Sequence, residues 1–328
     1  MKIAVIAAKE KQDFLFSNRG WEMLNKLGEV VCNDGAADIE NSKKFIKDAD
    51  IAITSWGSTP LTAEILDEAP NLKLVLHAAG SVKPIVTEDI WARGIRVCAS
   101  TKPLGIGVAE TALGFAISAS KNFYQLSDDI HNGGYDENLG RVRELFELNV
   151  GVISAGFVGR HFIKLLSNFG VNILLYDPFV TEERAAELGC KKVELNELLS
   201  ESDIVSIHAP SIPETDKMFN KETLALMKKD AVLINTARGS IVDEMALYNH
   251  MKAGNLKYAC IDVYDPEPLL PDNPLRTLKN VILTPHIAGL ATNGRFRIGV
   301  HAAEEIERFI KGEQLECEVT RAMLATIA

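Results

Sequence analysis

Short apolar runs recur along the whole chain, separated by longer stretches in which apolar residues fall three and four apart. From residue 1 to about 100 the apolar runs are residues 3–7, 51–55, 72–77 and 95–98, and each predicts a strand. Residues 21–27, 41–47 and 62–68 lie between them with amphipathic helical spacing. Strands alternating with helices predict a parallel sheet. Residues 108–123 form a long segment with Ala109, Ala112, Gly114, Ala116 and Ala119, which predicts a closely packed helix. Residues 128–149 are polar, carry glycine and show no clear period, so they read as a connecting arm.

A second alternation starts at Val150. Its predicted strands are residues 150–153, 171–176, 204–207, 232–234, 258–261 and 281–283, with helices over 158–169, 196–199 and 244–253. One more amphipathic run, 299–311, and a short tail follow Gly289. With six strands already assigned to the second alternation, the tail is expected to return to the first. There is no internal repeat and no low-complexity tract.

Length and charge narrow the function classes. A chain of 328 residues is too long for one ordinary core, so two domains are expected. The net charge of −10, with no block of Lys or Arg, argues against a nucleic-acid partner. No stretch has the ~18 consecutive apolar residues of a membrane span. The first ten residues read as a buried strand rather than a signal peptide, because charged residues follow the apolar stretch at once. The five cysteines are scattered and lack metal-ligand spacing, and Cys98 and Cys260 sit in apolar runs. Reduced thiols, no metal and a cytoplasmic location are the expectations.

The turn after the first strand of the second alternation carries chemistry. Gly151-Val152-Ile153-Ser154-Ala155-Gly156-Phe157-Val158-Gly159 follows a strand and opens a helix, the context in which a glycine fingerprint means dinucleotide binding. Ser154 replaces the first glycine of the triplet. Gly156 still lets backbone approach a pyrophosphate, Gly159 still permits close helix–strand packing, and the helix amino terminus supplies N–H groups. Asp177 ends the next strand about 20 residues on, where a carboxylate accepts ribose hydroxyls and repels a 2′-phosphate, favouring NAD over NADP. A plain strand–turn–helix is the competing reading of the turn alone.

Three charged residues follow three later apolar runs: Arg238 in Asn235-Thr236-Ala237-Arg238-Gly239, Glu267 in Asp262-Val263-Tyr264-Asp265-Pro266-Glu267-Pro268, and His286 in Thr284-Pro285-His286-Ile287-Ala288-Gly289. In an open parallel sheet such positions line the ligand crevice. Arg grips a carboxylate by two hydrogen bonds, His moves a proton near neutral pH, and Glu holds the His.

These motifs, with Asp203-Ile204-Val205-Ser206-Ile207-His208-Ala209-Pro210, resemble the D-isomer-specific 2-hydroxyacid dehydrogenases, most strongly from Val150 to Gly289. The resemblance implies an α/β fold of two Rossmann-like or flavodoxin-like parallel-sheet domains with an active-site cleft between them. Residues 1–100 and 290–328 would form the substrate domain, with an NAD-binding domain, residues 101–289, inserted between its halves. It implies an NAD-dependent oxidoreductase that interconverts a 2-keto acid and a D-2-hydroxy acid. Arg238 would bind the substrate carboxylate, His286 would act as general acid or base, and Glu267 would support it. Ala79, Gly80 and Ser81 would join Arg238 and His286 in binding substrate. The cofactor would be held by Gly156, Phe157, Val158, Gly159, Asp177, His208, Ala209, Pro210, Thr215, Thr236, Ala237, Arg238, Asp262, His286, Ala288 and Gly289. A homodimer is implied, with the small-molecule acid as substrate and neither nucleic acid nor membrane as partner. Two departures lie on the substrate side, Ala79-Gly80-Ser81-Val82-Lys83 and Ile106-Gly107-Val108-Ala109-Glu110, and point to unusual specificity. Phosphite- or formate-type dehydrogenases and an NAD(H)-sensing corepressor-like scaffold are the alternatives on this fold.

Other residues have blander readings. His208 reads as structural or as a cofactor contact. His77 is either a satisfied strand-end histidine or a substrate neighbour. His131, His161, His250 and His301 are expected at the surface, Trp56 and Ser58 as pocket residues with a core Trp as the equal alternative, and Lys83 either attracting an anionic substrate or solvated.

Overall fold

The computed structural model describes residues 1–327. The chain forms two compact units, one from residues 1–104 with 290–328 and the other from residues 105–289. In the first, strands β1 (Lys2–Val5), β2 (Glu29–Cys32), β3 (Ile51–Thr54), β4 (Leu74–His77) and β5 (Arg96–Ala99) are mutually parallel. The order across this sheet is Glu318–Val319, β5, β4, β3, β1, β2, and the short Glu318–Val319 strand runs antiparallel to β5. Helix Phe296–Lys311 packs on helix Asn18–Leu27 in the same unit. The strands alternate between two cores: Ala4, Ala52, Val75 and Val97 face one, and Ile3, Val5, Ile53 and Leu76 face the other. Apolar residues at every strand position are what a sheet covered on both faces needs.

The second unit holds β6 (Asn149–Ile153), β7 (Asn172–Tyr176), β8 (Lys191–Lys192), β9 (Ile204–Ile207), β10 (Ala231–Asn235), β11 (Leu256–Ile261) and β12 (Val281–Leu283). All are parallel, in the order β12, β11, β10, β9, β6, β7, β8. The chain runs outward from β6 through β7 to β8, then restarts on the other side of β6 with β9. That reversal is a topological switch point, where strand ends open a crevice for ligands. Val205, Leu233 and Ile261 pack on one face, and Val152, Val232, Ile234 and Cys260 on the other.

The α/β class and the parallel sheets are as the hydrophobic pattern predicts. The strands it missed, β2, β8 and Glu318–Val319, are all sheet edges, short and half-solvated; β2 carries only the brief apolar run Val30-Val31-Cys32 and the other two carry none. The predicted helix over 108–123 is instead Thr101–Ser120, and a second helix, Phe123–His131, begins after Asn122 at φ +60°. The polar arm expected from residue 128 therefore starts as helix. Its last turn needs no apolar face because Phe123–His131 has no fully buried residue. Another correction concerns Thr101–Ser120: it is the one described helix long and apolar enough to cross a membrane, with half of that window buried within the protein. Its Ala109, Ala112, Phe115, Ala116 and Ala119 join the second unit's core.

His301, expected at the surface, is buried. It lies on the inward face of helix Phe296–Lys311, and burial pulls its imidazole below the ordinary value. Beside it the fully buried Glu305 accepts from the backbone N–H groups of Glu316 and Cys317 at 2.9 and 3.1 Å and pairs with Arg308 at 2.7 Å. Glu316 pairs with Lys102 and with Arg308. Each carboxylate of this cluster thus already has a cation, and it reads as an internal ion network. The five cysteines are free thiols, four of them buried.

Candidate active site

The turn after β6 is built around close backbone approach. Ser154 sits at φ +75°, where the dinucleotide fingerprint places a glycine. A Cβ added at Gly159 would lie 2.0 Å from the Ser154 carbonyl oxygen, so only glycine lets helix Phe157–Leu166 start this close to the strand. A Cβ added at Gly156 would meet nothing within 4 Å, and no side chain caps that helix. Uncapped N–H groups beside open space are what a pyrophosphate requires. Asp177, at the end of β7, accepts from the Ala155 N–H at 2.8 Å and the Phe179 N–H at 2.8 Å.

Across the switch point, His208 follows β9 and Thr236 follows β10. His208 Nε2 meets the Ser206 hydroxyl at 3.0 Å, while its Nδ1 and the Thr236 hydroxyl are buried with no partner in the protein. Orphaned buried polar atoms at strand ends are unusual, and a bound nucleotide would satisfy them. Gly156 to Gly159, Asp177, His208 and Thr236 therefore fit a dinucleotide. Thr215 is different: its hydroxyl donates to the Pro210 carbonyl at 2.6 Å and accepts from the Ile212 N–H at 3.0 Å, so it shapes the loop after Pro210.

Burial also pulls the His208 imidazole down to about 3. In an unfolded chain the same ring protonates near ~6.5, so acid favours the unfolded state. Stability linked to His208 is complete above pH ~6.5 and is lost progressively as pH falls from there towards pH 3. Urea denaturation of His208→Asn between pH 6 and pH 4 is expected to show a shallower loss than the parent. Parallel curves would refute the linkage.

The triad is assembled by three successive strand ends. Asn235 ends β10; its side-chain amide donates to the Arg238 carbonyl at 2.9 Å and its Oδ1 accepts the Ala237 N–H at 3.1 Å, folding a tight turn that projects Arg238. A Cβ added at Gly239 would fall 2.0 Å from the Tyr264 carbonyl carbon, so the Arg238 turn lies against the turn after β11. There the Tyr264 N–H donates to Glu267 Oε1 at 3.0 Å. The other carboxylate oxygen, Oε2, lies 2.7 Å from His286 Nδ1. Glu267 thus takes one bond from backbone and one from the imidazole, which fixes the ring and leaves Nε2 for other work. Burial pulls the Arg238 guanidinium below its ordinary value, opposed by the Glu267 charge, and it remains a cation.

The loop carrying His286 is held by Asp262, which is fully buried. Its Oδ1 accepts from the Thr284 hydroxyl at 2.5 Å and the Ile287 N–H at 3.0 Å, and its Oδ2 from the Ala288 N–H at 2.9 Å. The Tyr264 hydroxyl bridges the Ile261 and Thr284 carbonyls at 3.1 and 2.8 Å. His286 itself sits at φ +52°, a strained conformation that this bonding maintains. Asn235, Tyr264 and Thr284 were not singled out from sequence. The Asn ahead of a turn was a readable Asx signal; the other two gave none.

In the first unit, Ala79, Gly80 and Ser81 form the turn after β4. His77, at the end of that strand, meets the Thr54 hydroxyl at 2.9 Å and hydrogen-bonds the Ser81 backbone. Its ring supports the turn.

Fold and site together define a dinucleotide-binding α/β protein with an Arg–Glu–His constellation at its strand ends. Residues 113–288 match the D-isomer specific 2-hydroxyacid dehydrogenase, NAD binding domain, and the chain belongs to that family. It is 35% identical over 296 residues to a D-3-phosphoglycerate dehydrogenase of Methanocaldococcus jannaschii, covering 90% of this chain but 56% of that protein. The chain therefore spans little more than half of that relative's length. Against the glyoxylate reductase of Korarchaeum cryptofilum it is 34% identical over 288 residues, 83% of this chain and 84% of that one. A solved D-2-hydroxyisocaproate dehydrogenase superposes with a TM-score of 0.81 at 25% identity, covering 98% of this chain and all of the other.

Proposed function

We propose that this protein interconverts a 2-keto acid and a D-2-hydroxy acid using NAD(H). The observation that carries the reading is the 2.7 Å contact between His286 Nδ1 and Glu267 beside the Arg238 turn. With Nδ1 engaged, His286 presents Nε2 to donate a proton to a carbonyl oxygen, or to remove one from a hydroxyl in the reverse direction. Arg238 grips the substrate carboxylate through its planar fork and orients the adjacent carbon. Ala79, Gly80 and Ser81 add backbone N–H groups to carboxylate binding. Gly156, Phe157, Val158 and Gly159 hold the pyrophosphate, and Asp177 takes a ribose hydroxyl, which selects NAD over NADP. His208 to Pro210, Thr236, Ala237, Asp262, Ala288 and Gly289 complete the cofactor wall. When bound, the nicotinamide supplies or accepts the hydride. A cytoplasmic homodimer completes the reading.

The test is NADH oxidation against glyoxylate, pyruvate, hydroxypyruvate, branched, aromatic and phosphorylated 2-keto acids, with Arg238→Lys alongside. The parent is expected to turn over at least one acid. Lysine keeps the charge but loses the fork, so kcat/KM should fall about 100-fold, mostly through KM, with NADH affinity nearly constant. An Arg238→Lys enzyme with the parent's KM would remove Arg238 from substrate binding, and silence across the panel would overturn the reaction.

A further inference from the structure

Ser154 stands at a backbone position that disfavours any side chain, at φ +75°. A glycine there would relieve the conformation, yet the serine makes a contact that glycine lacks. Its hydroxyl lies 3.3 Å from Asp177 Oδ2, the same oxygen that accepts the Ala155 N–H at 2.8 Å. The other oxygen, Oδ1, accepts the Phe179 N–H at 2.8 Å. A carboxylate offers about four acceptor positions, so the chain itself occupies three and leaves one. Asp177 is 6% exposed, so water does little to fill it.

We infer that Ser154 is a positioning residue that sets the preference between NAD(H) and NADP(H) by pinning the Asp177 carboxylate. The inference rests on the reading of Asp177 as the ribose-binding group. With Oδ2 held from two directions and Oδ1 from a third, the carboxylate does not rotate. Its remaining acceptor position and its charge stay fixed at the nucleotide turn. A ribose hydroxyl can donate to that position, whereas a 2′-phosphate brings no donor and a like charge. Without the serine hydroxyl, Oδ2 keeps a single bond and the carboxylate gains freedom to turn aside. That weakens the ribose contact and softens the repulsion of a phosphate. The strained backbone and the hydroxyl therefore act in opposite senses: one lowers the stability of the turn, the other sharpens recognition.

Opposite senses make the inference testable with two substitutions. Dissociation constants for NADH and NADPH, read from nucleotide fluorescence, and Tm are measured for the parent, Ser154→Gly and Ser154→Thr. Ser154→Gly is expected to bind NADH about three- to tenfold more weakly, as loss of one charge-assisted hydrogen bond implies. Its NADPH affinity should change by less than about twofold, and its Tm should rise by roughly 2–4 °C as the strain is relieved. Ser154→Thr keeps the hydroxyl and adds a branch at positive φ, so both affinities should hold while Tm falls. Equal weakening of both nucleotides by Ser154→Gly, or none, overturns the inference. A parent that binds neither nucleotide overturns the cofactor reading as well. A parent that prefers NADH but reduces no keto acid, with the expected Ser154→Gly shift, supports the inference while removing only the proposed reaction.

Discussion

His286→Ala is expected to lower turnover of any accepted 2-keto acid by about 10²–10⁴-fold, the range for loss of a positioned general acid. NADH affinity should change far less. The imidazole is held through Nδ1 by Glu267 at 2.7 Å, and the His286 backbone N–H donates to the Asp262 carbonyl at 2.9 Å, so the ring is oriented before any substrate arrives. Removing the ring deletes the proposed proton donor and leaves the nucleotide turn and its Asp177 bonds untouched. Stopped-flow or steady-state NADH oxidation gives the turnover, and fluorescence titration gives the affinity. A variant that loses both in equal measure would show His286 to be structural. Glu267→Gln serves as a companion, because an amide keeps the size and one acceptor but removes the carboxylate charge beside the ring. It should retain more activity than the alanine at position 286.

The second large effect is expected at Asp262. Replacing this fully buried carboxylate with alanine strands the Thr284 hydroxyl and the Ile287 and Ala288 N–H groups. Each buried donor left without an acceptor costs about 1–3 kcal/mol. Only the Ala288 N–H is buried, Thr284 being half-buried and Ile287 exposed, so the three do not add fully and the total should be about 2–4 kcal/mol. Urea denaturation followed by circular dichroism reads this directly. Activity should fall too, since the same loop holds His286 at positive φ. Asp262→Asn keeps the volume and one carbonyl oxygen and is expected to lose less on both counts. If Asp262→Ala unfolded at the parent's urea concentration, the carboxylate would have no part in holding the loop.

Much of the site was readable as residue types at strand ends. Arg238, Glu267 and His286 each follow a strand of the second sheet, and in a parallel sheet all carboxyl ends face one way, so their convergence follows from topology. The glycine turn was readable for the same reason, since it links β6 to a helix at the switch point. What escaped is the bonding that holds these groups. Tyr264 bridging two carbonyls, or the Asp262 carboxylate gathering three donors from a loop more than 20 residues away, leaves no periodic mark. Gly239 against Tyr264 is likewise a backbone contact between separate turns, visible only once both are placed.

The edge strands and His301 failed for a related reason. Hydrophobic period reports whether a segment has a buried face. A two-residue strand such as Lys191–Lys192 buries too little to register, and a histidine facing inward within a polar-looking helix is masked by its own type. Local pattern in this chain thus dictated the α/β class, the parallel sheets, the nucleotide turn and the order of Arg238, Glu267 and His286, because burial and turn chemistry act over a few residues. Folding in three dimensions alone set the strand order with its switch point, the three donors gathered on Asp177, and the loop that holds His286 in its strained pose. Those depend on hydrogen bonds and close packing between segments far apart in the chain, and such contacts are chosen by geometry rather than by composition.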